Sequence, residues 1–261
     1  MTYETLKVVI GEDRVGLITM NRPEVKNAMN TRMMTELRDL FWGFYVEENA
    51  AACLIVTGEG NAFCSGGDLK ERRGMTDETW RRQHAIVEQM MRAIMECPIP
   101  VIAAVNGAAF AGGMEIALGC DFIYAAQSAR FALTEVTLGI MPGGGGTQTI
   151  ARAVGERRAK ELILTGRPFS ASEAAGWGLV NAVLSQDELL PAALATAAAI
   201  ANNAPISVRQ AKQSIHRGLQ MALRDGLTFE IEAYARMVPT QDRHEGVTAF
   251  NEKRPPRFIG K

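Results

Sequence analysis

Histidine is scarce in this chain of 261 residues: His84, His216 and His244 lie far apart and suggest no histidine-based metal site. Cysteine is little richer. Cys53, Cys64, Cys97 and Cys120 contain no CxxC pair, and the reading that fits is buried free thiols in a reducing cytoplasm. Net charge is nearly absent, since 28 Lys and Arg stand against 29 Asp and Glu. A balance of −1 offers no global field for nucleic acid or an anionic membrane. No apolar run is long enough to cross a bilayer, and Met1-Thr2-Tyr3-Glu4 lacks the basic start and apolar segment of a secretion signal. Internal repeats, a Walker lysine and a GxSxG nucleophile elbow are also missing. What remains is 47% hydrophobic and 22% charged, an ordinary globular composition with material for a sizeable core.

Strand and helix patterns alternate to about residue 185, and only helical patterns follow. Leu6–Ile10 and Val15–Met20 read as a hairpin around Gly11-Glu12-Asp13-Arg14. Asn30-Thr31 caps a helix to about Tyr45, whose stripe is Met33, Leu37, Leu40 and Phe41. Further strands are expected at Cys53–Thr57, Pro100–Val105, Asp121–Ala125 and Leu179–Leu184. A long helix from Asp77 to Cys97 carries Ile86, Met90, Ile94 and Met95 at helical spacing. The order predicts an α/β core over residues 1–185 that carries the active site, then a helical segment over 186–261. In that segment Ile231, Tyr234, Ala235 and Val238 share one helix face.

Two glycine-rich stretches stand out. One runs from Gly58 to Lys70 through Ala62, Ser65, Gly66, Gly67, Asp68 and Leu69; the other is Asn106 to Asp121, with Gly112 and Gly113 opening a helix. Glycine leaves its N–H open to close approach, and a helix N-terminus adds unpaired donors and a positive dipole end. Two such donors meeting one oxygen make an oxyanion hole. The plain alternative for the first stretch is a flexible surface connection. Two carboxylates, Glu115 and Glu135, sit in apolar surroundings. Burial raises a carboxyl's pKa toward neutrality, as acid–base work requires. The plain alternatives are a dipole-complementing first-turn residue at Glu115 and an exposed strand-edge position at Glu135. The run Met141 to Gln148, with four glycines, is expected to let backbone pack beside a ligand. Ser65 and Cys64 have no nearby histidine in sequence and are poor nucleophile candidates.

Ala62 to Lys70, the Gly112-Gly113-Met114-Glu115 segment and Pro142 to Gln148 together resemble the crotonase (enoyl-CoA hydratase/isomerase) superfamily, in motif order and nearly end to end. The resemblance implies an α/β spiral of ββα turns and C-terminal helices that assemble a homotrimer, often paired into a hexamer. It implies an acyl-CoA substrate whose thioester oxygen is held by the N–H groups of Gly67 and Gly112. Coenzyme A would lie along Lys26, Asn27 and Ala28 and along Ala62, Ser65, Gly67, Asp68, Leu69, Lys70 and Gly112, with Lys26 and Lys70 near its phosphates. Glu115 would deprotonate a water that attacks C3 of a 2-enoyl-CoA, and Glu135 would protonate C2. No metal or redox cofactor is implied. The acyl pocket is expected near Trp80, Met90 and Met141. A Δ3,Δ2-enoyl-CoA isomerase is the rival within the superfamily, needing chiefly the acid at Glu135. Asp68 to Arg72 and the tail around Pro239–Gly246 and Ala249–Arg257 look like the methylglutaconyl-CoA hydratase branch, one of whose members binds AU-rich RNA through a lysine-rich helix. Here the matching helix, Thr31 to Glu48, sets Arg32 and Arg38 against Glu36, Asp39, Glu47 and Glu48. RNA binding on this scaffold is the alternative of another class, and no nucleic acid is expected to bind. Ala111 departs from the third glycine of many hydratases, a change expected to matter little.

Overall fold

The computed structural model describes residues 3–47 and 49–261. Met1 and Thr2, part of the leader-free reading, and Glu48, the expected end of the first helix's acidic set, lie outside the described residues. The chain begins with the expected hairpin, β1 (Leu6–Ile10) and β2 (Val15–Met20), followed by α1 (Thr31–Val46). Asn30 caps α1, its side-chain oxygen accepting from Met33 N at 3.0 Å. The stripe of Met33, Leu37, Leu40 and Phe41 is buried, as the spacing requires.

From here the chain winds. β3 (Cys53–Gly58) is followed by a short β4 (Ala62–Cys64), then by α2 (Leu69–Arg72) and α3 (Asp77–Met95). β5 (Val101–Val105) is followed by β6 (Ala108–Phe110) and α4 (Gly112–Gly119), and β7 (Phe122–Ala126) by β8 (Arg130–Ala132) and a 3-10 turn at Glu135–Leu138. Next come α5 (Gly146–Val154), α6 (Glu156–Thr165), β9 (Phe169–Ser170), α7 (Ala171–Gly176) and β10 (Ala182–Leu184). The long strands form one sheet in the order β1-β2-β3-β5-β7-β10, and the short ones a second in the order β4-β6-β8-β9. Beyond the first hairpin the large sheet is parallel. Its central strand β5 is buried at every residue, which is why it reads as a continuous apolar run.

The second sheet is what the sequence reading missed. Its strands are two or three residues long, AFC, AAF, RFA and FS, too short for a period to show. Its effect is decisive. Parallel pairing of β4 with β6, Ala62 opposite Ala108 and Cys64 opposite Ala109, brings the chain exits at Cys64 and Phe110 side by side. A Cβ on Gly113 would stand 2.1 Å from the carbonyl oxygen of Cys64, so only glycine lets the two backbones meet there.

The helices α8 (Gln186–Ala201), α9 (Pro205–Gly218), α10 (Leu223–Ala235) and α11 (Gln241–Glu252) complete the chain. α8 lies on the large sheet, with Leu189, Ala193 and Ala197 buried in the main core. The core therefore extends past residue 186 to take in α8. Among the described residues no single helix is long and apolar enough to cross a membrane.

Candidate active site

Two loops are tied together beside the α4 N-terminus. Asn27 is fully buried, with its amide donating to the carbonyls of Glu59 and Ala62 and its oxygen accepting from Arg22 N. Ser65 N donates to Lys26 O, Met29 N to Gly66 O and Asp68 N to Met29 O. Asp68 caps α2 through bonds from Lys70 N and Glu71 N and pairs with Arg22 at 3.0 Å. Burial pushes its carboxyl up, but those partners together hold it below the usual carboxylate range. Asn27 and Asp68, read as coenzyme-binding candidates, therefore have side chains engaged within the protein, and the Ser65 hydroxyl likewise donates to Val25 O. Ala62 is buried, Ala28 is half-buried with its carbonyl accepting from Arg22, and Lys26, Leu69 and Lys70 are exposed on the rim.

This clamp orients a backbone. The bridge between Met29 and Gly67 uses the carbonyl of Gly66 and the N–H of Asp68, so the N–H of Gly67 faces the other way. Gly112 is the first residue of α4, where an N–H has no intrahelical acceptor. Among the described residues nothing accepts from the N–H of Gly67 or of Gly112. The two turns touch, since a Cβ on Gly66 would be 3.6 Å from Gly112 N. Both donors are thus unpaired, on abutting strands of backbone.

Glu115 stands one turn along α4 and is 4% exposed. Its Oε1 accepts from Gly144 N at 2.8 Å and Gly146 N at 2.9 Å. Its Oε2 lies 3.9 Å from where a Cβ on Gly112 would be. One oxygen is fixed and the other is turned toward the helix start. Burial raises the Glu115 pKa, against the pull of the Gly146 and Gly144 amides and of His84. The glycine run around residue 144 therefore grips a carboxylate, where packing beside a ligand had been expected. Its glycines are sterically required, because a Cβ on Gly144 or Gly146 would come within 2.8 or 2.9 Å of the Glu115 carboxylate.

Glu135 sits in the 3-10 turn and is 6% exposed, not on an exposed strand edge. Its Oε2 is buried without a hydrogen-bond partner in the described residues. Burial lifts its pKa to about 7, with the charge of Glu115 adding to the rise. The pair is therefore close enough to couple, and its environments differ: one carboxylate held by two amides, the other with a bare oxygen.

Sequence reasoning missed several neighbours. Met91, not Met90, lies by Gly144 and Glu115, whereas Met90 is buried in the core and Met141 is 63% exposed. Met29 covers Gly112, and His84 packs on Gly143. Periodicity gives a helix face but not which residue meets a glycine loop arriving from far along the chain. Cys64 is fully buried and its thiol is pushed up to about 12 by burial, which removes it as a nucleophile. Among the described residues no cluster of three or more His, Cys, Asp or Glu could hold a metal ion.

Ala111 occupies a backbone conformation that its sequence position did not announce. It lies at φ 50° and ψ −126°, a region that favours glycine, directly before Gly112. Ala111→Gly is expected to raise the unfolding free energy by about 1 kcal/mol in a denaturant titration; a decrease would show that the alanine methyl contributes packing that outweighs its strain.

The family model described as Enoyl-CoA hydratase/isomerase matches residues 11–261. The human protein named enoyl-CoA hydratase domain-containing protein 2, mitochondrial, is 40% identical over 98% of this chain and 89% of its own length. The crystal structure of an enoyl-CoA hydratase from Bacillus anthracis superposes with a TM-score of 0.96 at 43% identity, covering 99% of this chain and 100% of that one. An enoyl-CoA hydratase structure from Mycobacterium smegmatis gives 0.92 at 31% identity, over 98% and 99% of the two chains.

Proposed function

Since this chain belongs to the enoyl-CoA hydratase/isomerase family, we propose that it adds water syn across the 2,3 double bond of a 2-enoyl-CoA. The thioester oxygen accepts from Gly67 N and Gly112 N, which stabilise the negative charge it gains as C3 is attacked. Glu115 takes a proton from the attacking water, and the hydroxyl bonds to C3. Glu135 delivers a proton to C2 as the enolate collapses. The observation that carries this reading is the unequal carboxylate pair beside two unpaired main-chain donors. An enzyme that only moved a double bond would have use for one such acid. Exposed Lys26 and Lys70 are suited to the phosphates of coenzyme A, while Asn27 and Asp68 shape the binding loops from within.

The test is incubation of the protein with crotonyl-CoA in D2O. The expected product is 3-hydroxybutyryl-CoA with one deuterium at C2, on the face that also received oxygen. Conversion of a 3-enoyl-CoA without any hydroxylated product would instead support the isomerase.

The same reading includes self-association as a trimer or hexamer. The expected face is solvent-exposed in the single chain, with Ile231 66% accessible, Tyr234 and Ala235 exposed beside it on α10 and Val238 exposed just past the helix end, while Phe250 on α11 is 83% accessible. An apolar surface of this kind is commonly covered by a partner. Sedimentation velocity should give a trimer or larger species, and Ile231→Glu should shift it toward monomer. A monomeric wild-type protein would remove this part of the proposal.

A further inference from the structure

The glycines ahead of α5 that lead into the grip on Glu115, Gly143 to Gly145, belong to no helix or strand. Such a run leaves the backbone many conformations, and its neighbours must choose one. One face of α3 does so. His84, Met91 and Met95 fall on the same side of that helix and meet three successive glycines in order. The imidazole Cε1 of His84 lies 2.5 Å from where a Cβ on Gly143 would be, Met91 Cγ 3.0 Å from that of Gly144, and Met95 Cε 3.8 Å from that of Gly145. The methionines are flexible fillers, whereas the imidazole is a rigid plate. Gly144 is buried but Gly143 is exposed, so the ring meets the run where burial no longer holds it. The His84 side chain is itself 38% exposed, with Nε2 3.6 Å from Oε1 of Glu88 on the same helix.

The peptide joining Gly143 to Gly144 supplies one of the two N–H groups that Glu115 Oε1 accepts, at 2.8 Å. The imidazole is seated at one end of that peptide and the carboxylate at the other. We propose that His84 is a positioning residue for Glu115: its ring props the Gly143–Gly144 peptide, so that the Gly144 N–H stays on Oε1 and Oε2 stays turned toward Gly112. This rests on the reading above in one respect, that Glu115 activates the water. The charge of His84 works in the same sense as its shape. Burial disfavours the ionised form of Glu115, while the Gly146 and Gly144 amides and a protonated His84 favour it. Among the described residues the other charges acting on this pair are Glu88, from α3, on His84 and Glu135, from the 3-10 turn, on Glu115. Without the ring the amide loosens and the positive charge is gone, and Glu115 keeps its proton to higher pH.

Two variants and a pH series test it. His84→Ala is expected to lower kcat for hydration of crotonyl-CoA about tenfold, with KM changed less than about twofold. It should also move the acid limb of kcat/KM upward by about one pH unit. His84→Phe, which keeps a flat ring over Gly143 and loses the charge, should recover most of kcat. An unmoved acid limb in His84→Ala overturns the proposal, as does a phenylalanine variant no better than the alanine one. A raised KM at unchanged kcat overturns it too, by assigning the ring to substrate binding. Infrared titration of the carboxyl band that disappears in Glu115→Gln reads the same shift without turnover. If that band titrates higher in His84→Ala but the wild type fails to hydrate crotonyl-CoA, the hydratase reading fails and the positioning role stands. Hydration by the wild type with no change in the band does the reverse.

Discussion

Replacing Glu115 by Gln is expected to lower kcat for hydration of crotonyl-CoA by about 10²- to 10⁴-fold. The amide keeps the size of the side chain and an oxygen for the Gly144 and Gly146 donors, so α4 and the glycine run should stay in place. What is lost is the proton acceptor whose Oε2 lies 3.9 Å from where a Cβ on Gly112 would be. KM should change far less than kcat, because the interaction removed matters only as the water is attacked. Isomerisation of a 3-enoyl-CoA, if the protein supports it, should be hit less severely. Stopped-flow loss of the enoyl absorbance measures the effect, and unaltered hydration would show that another group activates the water.

Glu135→Gln should remove hydration to a similar degree, about 10²- to 10⁴-fold, for a different reason. Proton delivery to C2 requires a carboxyl still protonated near neutrality, and burial sets the pKa of Glu135 at about 7. In the wild type kcat/KM should therefore fall as pH rises above about 7, with apparent constants that belong to the coupled pair. The same substitution has a signature in stability. A carboxyl raised in the folded state favours folding at low pH, and that advantage is lost as pH rises through its folded pKa. The rise from 4.5 to about 7 corresponds to roughly 3 kcal/mol. The difference in unfolding free energy between wild type and Glu135→Gln should shift by about that amount, against the wild type, between about pH 5 and about pH 8. A difference that does not vary with pH would mean that Glu135 is solvated and unsuited to the acid role.

The finer resemblance to the methylglutaconyl-CoA hydratase branch was carried by Asp68 to Arg72 and by the tail, and the matched relatives are named at the level of the hydratase family.

The order of long strands and helices was readable because each follows from local chemistry. Continuous apolar runs made β3 and β5, a capped apolar stripe made α1, and the family resemblance followed from glycine and acid motifs in a fixed order. That α8 packs on the large sheet was not legible, because an Ala-rich helix pattern does not say which surface it covers. Short pairings decided the site. β4 against β6 set Gly67 beside Gly112, and a loop near residue 144 closed on Glu115 across the fold. The chain's own residues thus determined which groups were available: two acids and open amides. Only tertiary structure decided which amides were left unpaired and which carboxylate oxygen was left bare. Each of those depends on partners far away in sequence, and no local pattern records what a polar group fails to meet.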